Sequence, residues 1–242
     1  MVNLAGKDIL DGAQFTRQEL ERIMEVAADF REQLQGGRQL KLMEGYVMGV
    51  LFFEPSTRTR LSFETAVRRL GARSITVADA KSSSASKGES LADMARTVEG
   101  YVDCIVVRQP QTGGAKIIAD AVEIPVLNGG DGSGQHPTQA LLDVYTIQKE
   151  KGTLDGLTVT LGGDLKNGRT VHSLAYLLIR QQDAVGLVTM DHRVRATIPA
   201  RSRPRTHPTS CSCSSTMPAS AARRPSVAAS AHPASSASRT TG

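Results

Sequence analysis

The chain has 242 residues, 40% of them hydrophobic, which is enough to build one large domain or two small ones around a packed core. Its formal net charge is +5, but from Asp191 onward there are eight Arg, no Lys, one acidic residue and no aromatic residue. Without that stretch 21 basic and 23 acidic residues remain, so the positive charge does not indicate a fold that binds nucleic acid.

Cysteine and histidine usage favours a reducing compartment and argues against a metal centre. Cys104 lies in an apolar run and is accompanied only by Cys211 and Cys213, so no disulfide framework or metal cluster is visible. His136 and His172, the only histidines before the basic stretch, have no spaced ligand partner. The N-terminal residues lack the basic start and following apolar run of a signal peptide. No later run approaches the ~20 apolar residues of a membrane span. We therefore expect a cytoplasmic protein that needs no cofactor and contacts no membrane.

Predicted helices and strands alternate along the first 150 residues. Thr16 and Glu19 form a capping-box pattern ahead of apolar residues at helical spacing, which predicts the first helix. The unbroken apolar run at 46–53 is typical of a parallel strand covered on both faces. Further strands are predicted at 74–77, 105–108 and 125–127, and helices at 60–70, 90–101, 115–122 and 137–148. This alternation favours an α/β fold with a parallel sheet flanked by helices.

A second series of elements follows Gly152, which is a plausible cap for the end of the preceding helix. A strand is predicted at 157–162, a helix at 170–180 and a strand at 185–190. Two strands and one helix cannot bury a domain-sized core by themselves. These elements therefore belong to a larger second domain or pack on the first one. We therefore divide the chain into a first domain at 1–150, the start of a second at 151–190, and a stretch at 191–242 that is too poor in apolar residues to be ordered.

The segment Ser56-Thr57-Arg58-Thr59-Arg60 lies between a predicted strand and a predicted helix. The first turn of a helix offers unpaired N–H groups and the positive end of the helix dipole, and here it also offers three hydroxyls and two guanidiniums. These donors predict a phosphate site. The alternative interpretation is an ordinary helix start with Ser56 as the N-cap and exposed arginines.

This segment resembles the Ser-Thr-Arg-Thr-Arg motif of the aspartate and ornithine transcarbamoylases. The similarity continues through Leu61-Ser62-Phe63-Glu64-Thr65, Ser86-Lys87-Gly88-Glu89-Ser90, Val107-Arg108 and Gly134-Gln135-His136-Pro137-Thr138-Gln139-Ala140-Leu141-Leu142-Asp143, and it covers residues 1 to about 185. It implies the two-domain transcarbamoylase fold, with the second domain truncated. It also implies transfer of a carbamoyl group from carbamoyl phosphate to an amino acid.

The resemblance assigns roles in carbamoyl phosphate binding to seven residues. They are Ser56, Thr57, Arg58 and Thr59 as the phosphate cradle, Arg108 at the leaving phosphate, His136 at the carbonyl oxygen and Gln139 at the carbamoyl amide. His136 and Gln139 follow the Gly-rich stretch 129–134, which is predicted to form a sharply turning loop. Alone, His136 would be interpreted as an N-terminal cap.

The acceptor is implied by Gly168-Arg169-Thr170-Val171-His172-Ser173, where Arg169 resembles the arginine that binds the α-carboxylate of aspartate. In the family a loop matching Ser83 and Lys87 reaches the active site of the neighbouring subunit, where it contacts phosphate and the substrate carboxylate. The expected catalytic set is therefore Arg58, Thr59, Arg108, His136 and Lys87. The implied assembly is a homotrimer that works in pyrimidine synthesis, and attached regulatory chains are left open. His172 is expected to pack or cap at the helix start.

After Met190 the sequence departs from the family, which continues for about another hundred residues with an Arg-x-Gln segment and a His-Pro-Leu-Pro loop. The Arg, Ser, Ala, Pro and Thr found instead have many GC-rich codons, so a frameshift or mispredicted splice is our interpretation. Three hypotheses remain at this point: an aspartate transcarbamoylase impaired as written, an ornithine-type or other transcarbamoylase, and a non-catalytic protein that keeps the ligand site.

Overall fold

The computed structural model describes residues 3–78 and 88–180 and, beyond them, strands at 184–187 and 210–214. Helices and strands alternate as the sequence predicts. The helices are α1 (Arg17–Gln35), α2 (Thr57–Arg69), α3 (Leu91–Glu99), α4 (Gly114–Ala119), α5 (Pro137–Lys151) and α6 (Arg169–Arg180), with a 3-10 turn at Gly12–Gln14. The strands are β1 (Val47–Phe52), β2 (Arg73–Val77), β3 (Cys104–Gln109), β4 (Val126–Asp131), β5 (Thr158–Gly162), β6 (Ala184–Leu187) and β7 (Ser210–Ser214).

The first sheet has the strand order β2-β1-β3-β4, and every pairing in it is parallel. Side chains of β1 and β3 point alternately to two apolar clusters, one shared with α3 and α4 and the other with α2. Because both faces are covered, β3 is buried along its whole length, as a near-continuous apolar strand requires. The register pairs Phe52 with Arg108 and Gln109 with Asp131, so the carboxyl ends of β1, β3 and β4 meet at one edge.

The predicted helix caps are confirmed. The Thr16 hydroxyl accepts a hydrogen bond from the Glu19 N–H, and the Glu19 carboxylate accepts one from the Thr16 N–H at 2.8 Å. Helix α5 ends at Gly152, which adopts a left-handed φ of +75°. Helix α2 starts three residues before the predicted 60–70, because its first turn is polar and carries no apolar periodicity.

Strand β5 and helix α6 share one core with α1 and α5. Leu157 just before β5, Val159 and Leu161 from β5, and Leu174, Leu177 and Leu178 from α6 are buried there with Leu20, Met24, Val144 and Ile147. These elements therefore bury their apolar faces against helices of the first 150 residues, which is one of the two arrangements that the sequence left open. Within the described part of the chain, no helix is both long enough and apolar enough to cross a membrane.

A second sheet has the order β6-β5-β7, again with parallel pairings. Strand β7 lies inside the stretch 191–242, for which the sequence predicts too little apolar content for order. That prediction rested on low apolar content, whereas β7 is held by backbone pairing with β5 and alternates Ser with Cys. The rest of the stretch lies outside the described residues.

Candidate active site

The Glu54 carboxylate joins two arginines at the carboxyl edge of the first sheet. Arg108 at the end of β3 donates from Nη2 to Glu54 Oε1 at 2.7 Å. Arg169 at the start of α6 donates from Nη1 to Glu54 Oε2 at 3.0 Å and from Nη2 to Oε1. Two segments that are distant in sequence therefore converge on the carboxylate of a third, the residue Glu54 that follows β1.

The charges at this junction do not cancel. Burial alone would raise the pKa of Glu54, but the hydrogen bonds from Arg169 and Arg108 outweigh it and lower that pKa, so Glu54 is ionised. Burial also lowers the pKa of Arg108, as do the charges of Arg169 and Arg58, while Glu54 opposes the change. Arginine nevertheless stays charged, because its intrinsic pKa is so high. One carboxylate thus faces two guanidiniums, with a third nearby, and the excess positive charge suits an anionic ligand.

Arg108 also links the junction to the start of α2. Its Nη1 lies 3.2 Å from the Gly129 carbonyl oxygen and 3.5 Å from the Thr59 hydroxyl. Its Nε is buried and has no hydrogen-bond partner among the described residues. A buried N–H without a partner is costly unless a ligand satisfies it, which favours a binding role.

Ser56 occupies the N-cap position of α2, but its side chain makes no capping hydrogen bond. Ser56 is therefore at the position that the alternative interpretation gave it, but its hydroxyl does not satisfy the N–H groups of the first turn. Thr57 and Arg58 in the first turn are exposed, and Thr59 is half-buried beside Arg108. The hydroxyls, the N-terminal end of the helix and the guanidiniums can all donate to one anion at this place.

His136 is buried at the N-cap position of α5, and its ring makes no capping hydrogen bond. Burial, followed by the charges of Arg108 and Arg169, lowers the pKa of His136 to about 4, so the imidazole is neutral near pH 7. Its Nδ1 lies 3.3 Å from the Thr138 hydroxyl. When Thr138 donates to Nδ1, the ring proton is on Nε2, and the ring presents one N–H donor.

The loop before His136 is fixed by buried polar groups. Asp131 Oδ1 accepts from the Gln135 N–H at 2.6 Å, and Oδ2 accepts from the Gly113 N–H at 2.9 Å. Ser173 of α6 accepts from the His136 N–H and donates to the Gln135 side chain, each at 2.7 Å. The position of His136 therefore depends on the start of α6 as well as on its own loop.

Comparison with known proteins identifies the family of this chain. The family model described as aspartate/ornithine carbamoyltransferase, carbamoyl-P binding domain, matches residues 7–149, which is more than half of the chain. The chain belongs to the aspartate/ornithine carbamoyltransferase family. It is 54% identical over 177 residues to the chloroplastic aspartate carbamoyltransferase of Arabidopsis thaliana, covering 73% of this chain and 45% of that protein.

Other relatives and solved structures give the same result. The catalytic subunit of aspartate carbamoyltransferase from Thermococcus gammatolerans is 52% identical over 173 residues, which cover 72% of this chain and 56% of that protein. The aspartate transcarbamoylase of Trypanosoma cruzi, solved with carbamoyl phosphate and aspartate, is 44% identical with a TM-score of 0.70 over 73% of this chain and 55% of that one. The chain spans about half the length of the curated relatives it matches.

The carbamoyltransferase-family chain brings together several of the residues selected from its sequence. Arg108 contacts Thr59 directly and is joined to Arg169 through Glu54, and the charges of both arginines act on His136. Ser56, Thr57 and Arg58 lie at the adjoining start of α2. Gln139 is in the first turn of α5, three residues after His136. Ser83 and Lys87 lie outside the described residues.

Contributors that were not assigned a role from the sequence include Glu54, Asp131 and Ser173. Glu54 could have been suspected, because a carboxylate directly after a buried strand and before an arginine-rich helix start needs a cationic partner. Nothing in the sequence near Ser173 points to Gln135. His172, expected to pack or cap, places its two ring nitrogens 3.0 Å from the Ser133 carbonyl oxygen and 2.6 Å from that of Leu165.

Gly130 has a different role from the one expected. Gly129, Gly130 and Asp131 were predicted to belong to a turning loop, but they form the end of β4. Gly130 has a φ of +118°, and a Cβ added there would lie 3.2 Å from Arg108 Nη1 and 3.3 Å from Arg169 Nη1. Glycine suits this position because L side chains rarely adopt its φ and because the two guanidiniums lie close to where a Cβ would be.

A Gly130→Ala variant should bind inorganic phosphate about tenfold more weakly, because the added methyl displaces both guanidiniums. Gly163→Ala is the matched control, since Gly163 has a φ of +123° but open space where the Cβ would be. Because both substitutions place alanine at a similar positive φ, they strain the backbone similarly. A difference between their phosphate affinities, measured by calorimetric titration, therefore reports the displacement of the guanidiniums. Equal phosphate affinities in the two variants would contradict the role given to Gly130.

Proposed function

We propose that this protein transfers the carbamoyl group of carbamoyl phosphate to L-aspartate, giving N-carbamoyl-L-aspartate and phosphate in de novo pyrimidine synthesis. The observation that carries the proposal is the convergence of Arg108 and Arg169 on Glu54, beside Thr59 and the neutral His136. The names of the relatives support it, as do the carbamoyl phosphate and aspartate bound to the Trypanosoma cruzi enzyme.

The phosphate end of the substrate would lie at the start of α2. Ser56, Thr57 and Thr59 contribute hydroxyls there, and Arg58 and Arg108 contribute charge. Phosphate leaves as a dianion, so these fixed donors stabilise charge that grows as the bond breaks. Stabilisation of developing charge by groups already in place is usually the largest single contribution to catalysis.

His136 would donate its Nε2 hydrogen to the carbonyl oxygen of carbamoyl phosphate. This donor makes the carbonyl carbon more electrophilic without transferring a proton, which suits an imidazole whose pKa is lowered to about 4. The aspartate amine bonds to that carbon, the bond to the bridging oxygen breaks with its electron pair going to phosphate, and the proton lost by the nitrogen passes to the departing phosphate, which leaves as the HPO₄²⁻ dianion. Holding the two reactants together supplies much of the remaining rate enhancement.

Arg169 would bind the α-carboxylate of aspartate. Its guanidinium and that of Arg108 both bind the Glu54 carboxylate. Guanidiniums at this position are therefore suited to binding the carboxylate of a ligand as well. The same positive charge disfavours the cationic side chain of ornithine as an acceptor. Lys87 would add a further contact to phosphate and to the acceptor.

An Arg58→Ala variant should bind inorganic phosphate and carbamoyl phosphate about 10- to 100-fold more weakly, because a charge-assisted hydrogen bond to the anion is lost. Arg68→Ala is the control, since Arg68 is an exposed arginine in the last turn of the same helix. Isothermal titration calorimetry measures both. The assignment of the start of α2 to phosphate is wrong if Arg58→Ala leaves the affinity unchanged or if Arg68→Ala weakens it equally.

We also propose that the protein works as a homotrimer in which Ser83 and Lys87 of one subunit complete the site of its neighbour. The support is the resemblance of this serine- and lysine-bearing segment to the family's shared loop. Because one site then combines two chains, defects at Arg58 and at Lys87 can be carried by different subunits. A cytoplasmic location stays a prediction, and several relatives are named chloroplastic.

Refolding Arg58→Ala and Lys87→Ala chains together in equal amounts should restore tight binding of N-(phosphonacetyl)-L-aspartate, the ligand of one Trypanosoma cruzi structure, to about a quarter of the sites. Each variant refolded alone should bind it weakly. Calorimetric stoichiometry gives the fraction without depending on turnover. Mixed trimers that bind no better than the separate variants would show that the sites are not shared.

A further inference from the structure

The pairing of β3 with β4 is irregular beside Arg108. The register of the two strands shifts by one residue there, so Gly129 and Gly130 of β4 both lie opposite Arg108 of β3. An extra residue of this kind is a β-bulge, which leaves a backbone group without its partner in the sheet and redirects nearby side chains. The bulge at 129–130 therefore needs a hydrogen-bond partner from outside the pairing of these two strands.

Asn128 supplies that partner. Its side-chain Oδ1 accepts a hydrogen bond from the Gly130 N–H at 2.8 Å, and its Nδ2 donates to the Leu10 carbonyl oxygen at 3.0 Å. An N–H can only donate and a carbonyl oxygen can only accept, so these two partners determine which end of the amide faces each of them. Because Asn128 is only 1% exposed, water does not compete for either contact. The side chain thus joins the bulge to a segment that is 118 residues away in sequence.

The Leu10 carbonyl is held in place by the N-terminal segment, which lies parallel to β4 and pairs with it at Ile9. The Ile9 N–H donates to the Val126 carbonyl oxygen, and the Ile9 carbonyl oxygen accepts from the Asn128 N–H, each at 2.8 Å. Asp8 Oδ1 adds a contact by accepting from the Val126 N–H at 2.8 Å. The Asn128 amide is therefore fixed by contacts that lie outside the active site.

The bulge is in direct contact with the two guanidiniums of the active site. The Gly129 carbonyl oxygen accepts a hydrogen bond from Arg108 Nη1 at 3.2 Å. Arg108 and Arg169 both lie close to where a Gly130 Cβ would be. The Gly129 carbonyl and the Gly130 N–H belong to one planar peptide group, and in a trans peptide they point in opposite directions. Holding the N–H therefore also sets the direction in which the carbonyl faces Arg108.

We propose that Asn128 is a positioning residue for Arg108: it fixes the peptide between Gly129 and Gly130 so that the Gly129 carbonyl holds the Arg108 guanidinium in place for an anion. The inference rests on the proposed function, which assigns the leaving phosphate to Arg108. It gives Asn128 no contact with a ligand. If Asn128 only fastened the N-terminal segment to β4, its loss would lower stability but would leave anion affinity unchanged.

The first test compares Asn128→Ala with Asn128→Ser in the full chain. The two new side chains are similar in size, but the serine hydroxyl can still accept a hydrogen bond from an N–H two residues further on. The Kd for inorganic phosphate, measured by calorimetry, should rise about fivefold to tenfold in Asn128→Ala and less than about threefold in Asn128→Ser. Asp8→Ala, which removes a side-chain contact between the N-terminal segment and β4 away from the bulge, should leave this Kd unchanged.

The second test observes Arg108 without a ligand. The Nε–H signal of ¹⁵N-labelled Arg108 should shift in Asn128→Ala, return most of the way in Asn128→Ser and keep its position in Asp8→Ala. The signal of the exposed Arg68 should keep its position in all three variants, which also reports that they are folded.

Equal phosphate Kd values in Asn128→Ala and either Asp8→Ala or Asn128→Ser would overturn the inference and leave the proposed function intact. If Asn128→Ala does not fold, a folded Asn128→Ser chain decides: a phosphate Kd and an Arg108 signal close to those of the unaltered chain support the inference, and a large change in either overturns it. If the unaltered chain bound no phosphate, the proposed function would fail, and the ligand-free Arg108 signals alone would decide the role of Asn128.

Discussion

One carboxylate, that of Glu54, holds the ends of two strands and the start of a helix in a single arrangement. It follows β1, pairs with Arg108 at the end of β3, and pairs with Arg169, which is 115 residues away in sequence. Partly buried ion pairs contribute little net stability, because removing the charges from water offsets their attraction. Their arrangement here leaves an excess of positive charge at the edge of the sheet. These ion pairs therefore favour anion binding more than they stabilise the fold.

The parallel sheet explains why these groups meet. Parallel pairing of β1, β3 and β4 brings their carboxyl ends, and the polar residues that follow them, to the same edge. Helix α6 approaches that edge because its apolar face is buried with α1 and α5. Its first turn then supplies Arg169 to Glu54, His172 to the Ser133 carbonyl and Ser173 to the loop of His136. The apolar core of α6 therefore determines the geometry of the polar site.

The sequence predicted the parallel α/β fold and the start of α1, because apolar periodicity and capping patterns are local signals. It did not predict the contacts of Glu54, since a pairing between distant residues leaves no local trace. Strand β7 was missed because alternating Ser and Cys carry a weak apolar signal. The roles of Gln139, Ser83 and Lys87 came only from resemblance to the family, since single side chains in a turn or loop do not reveal a ligand.

The central claim is that Arg108 and Arg169, coupled through Glu54, form one anion site. Side-chain Nε–H signals of ¹⁵N-labelled arginine measure this most directly while inorganic phosphate is added to the full chain. The signals of Arg108 and Arg169 should shift together along one saturation curve, because a ligand that binds Arg108 also changes its share of Glu54. The exposed Arg68 should not follow that curve. A shift of Arg108 without Arg169, or no saturable shift of either, would contradict the account.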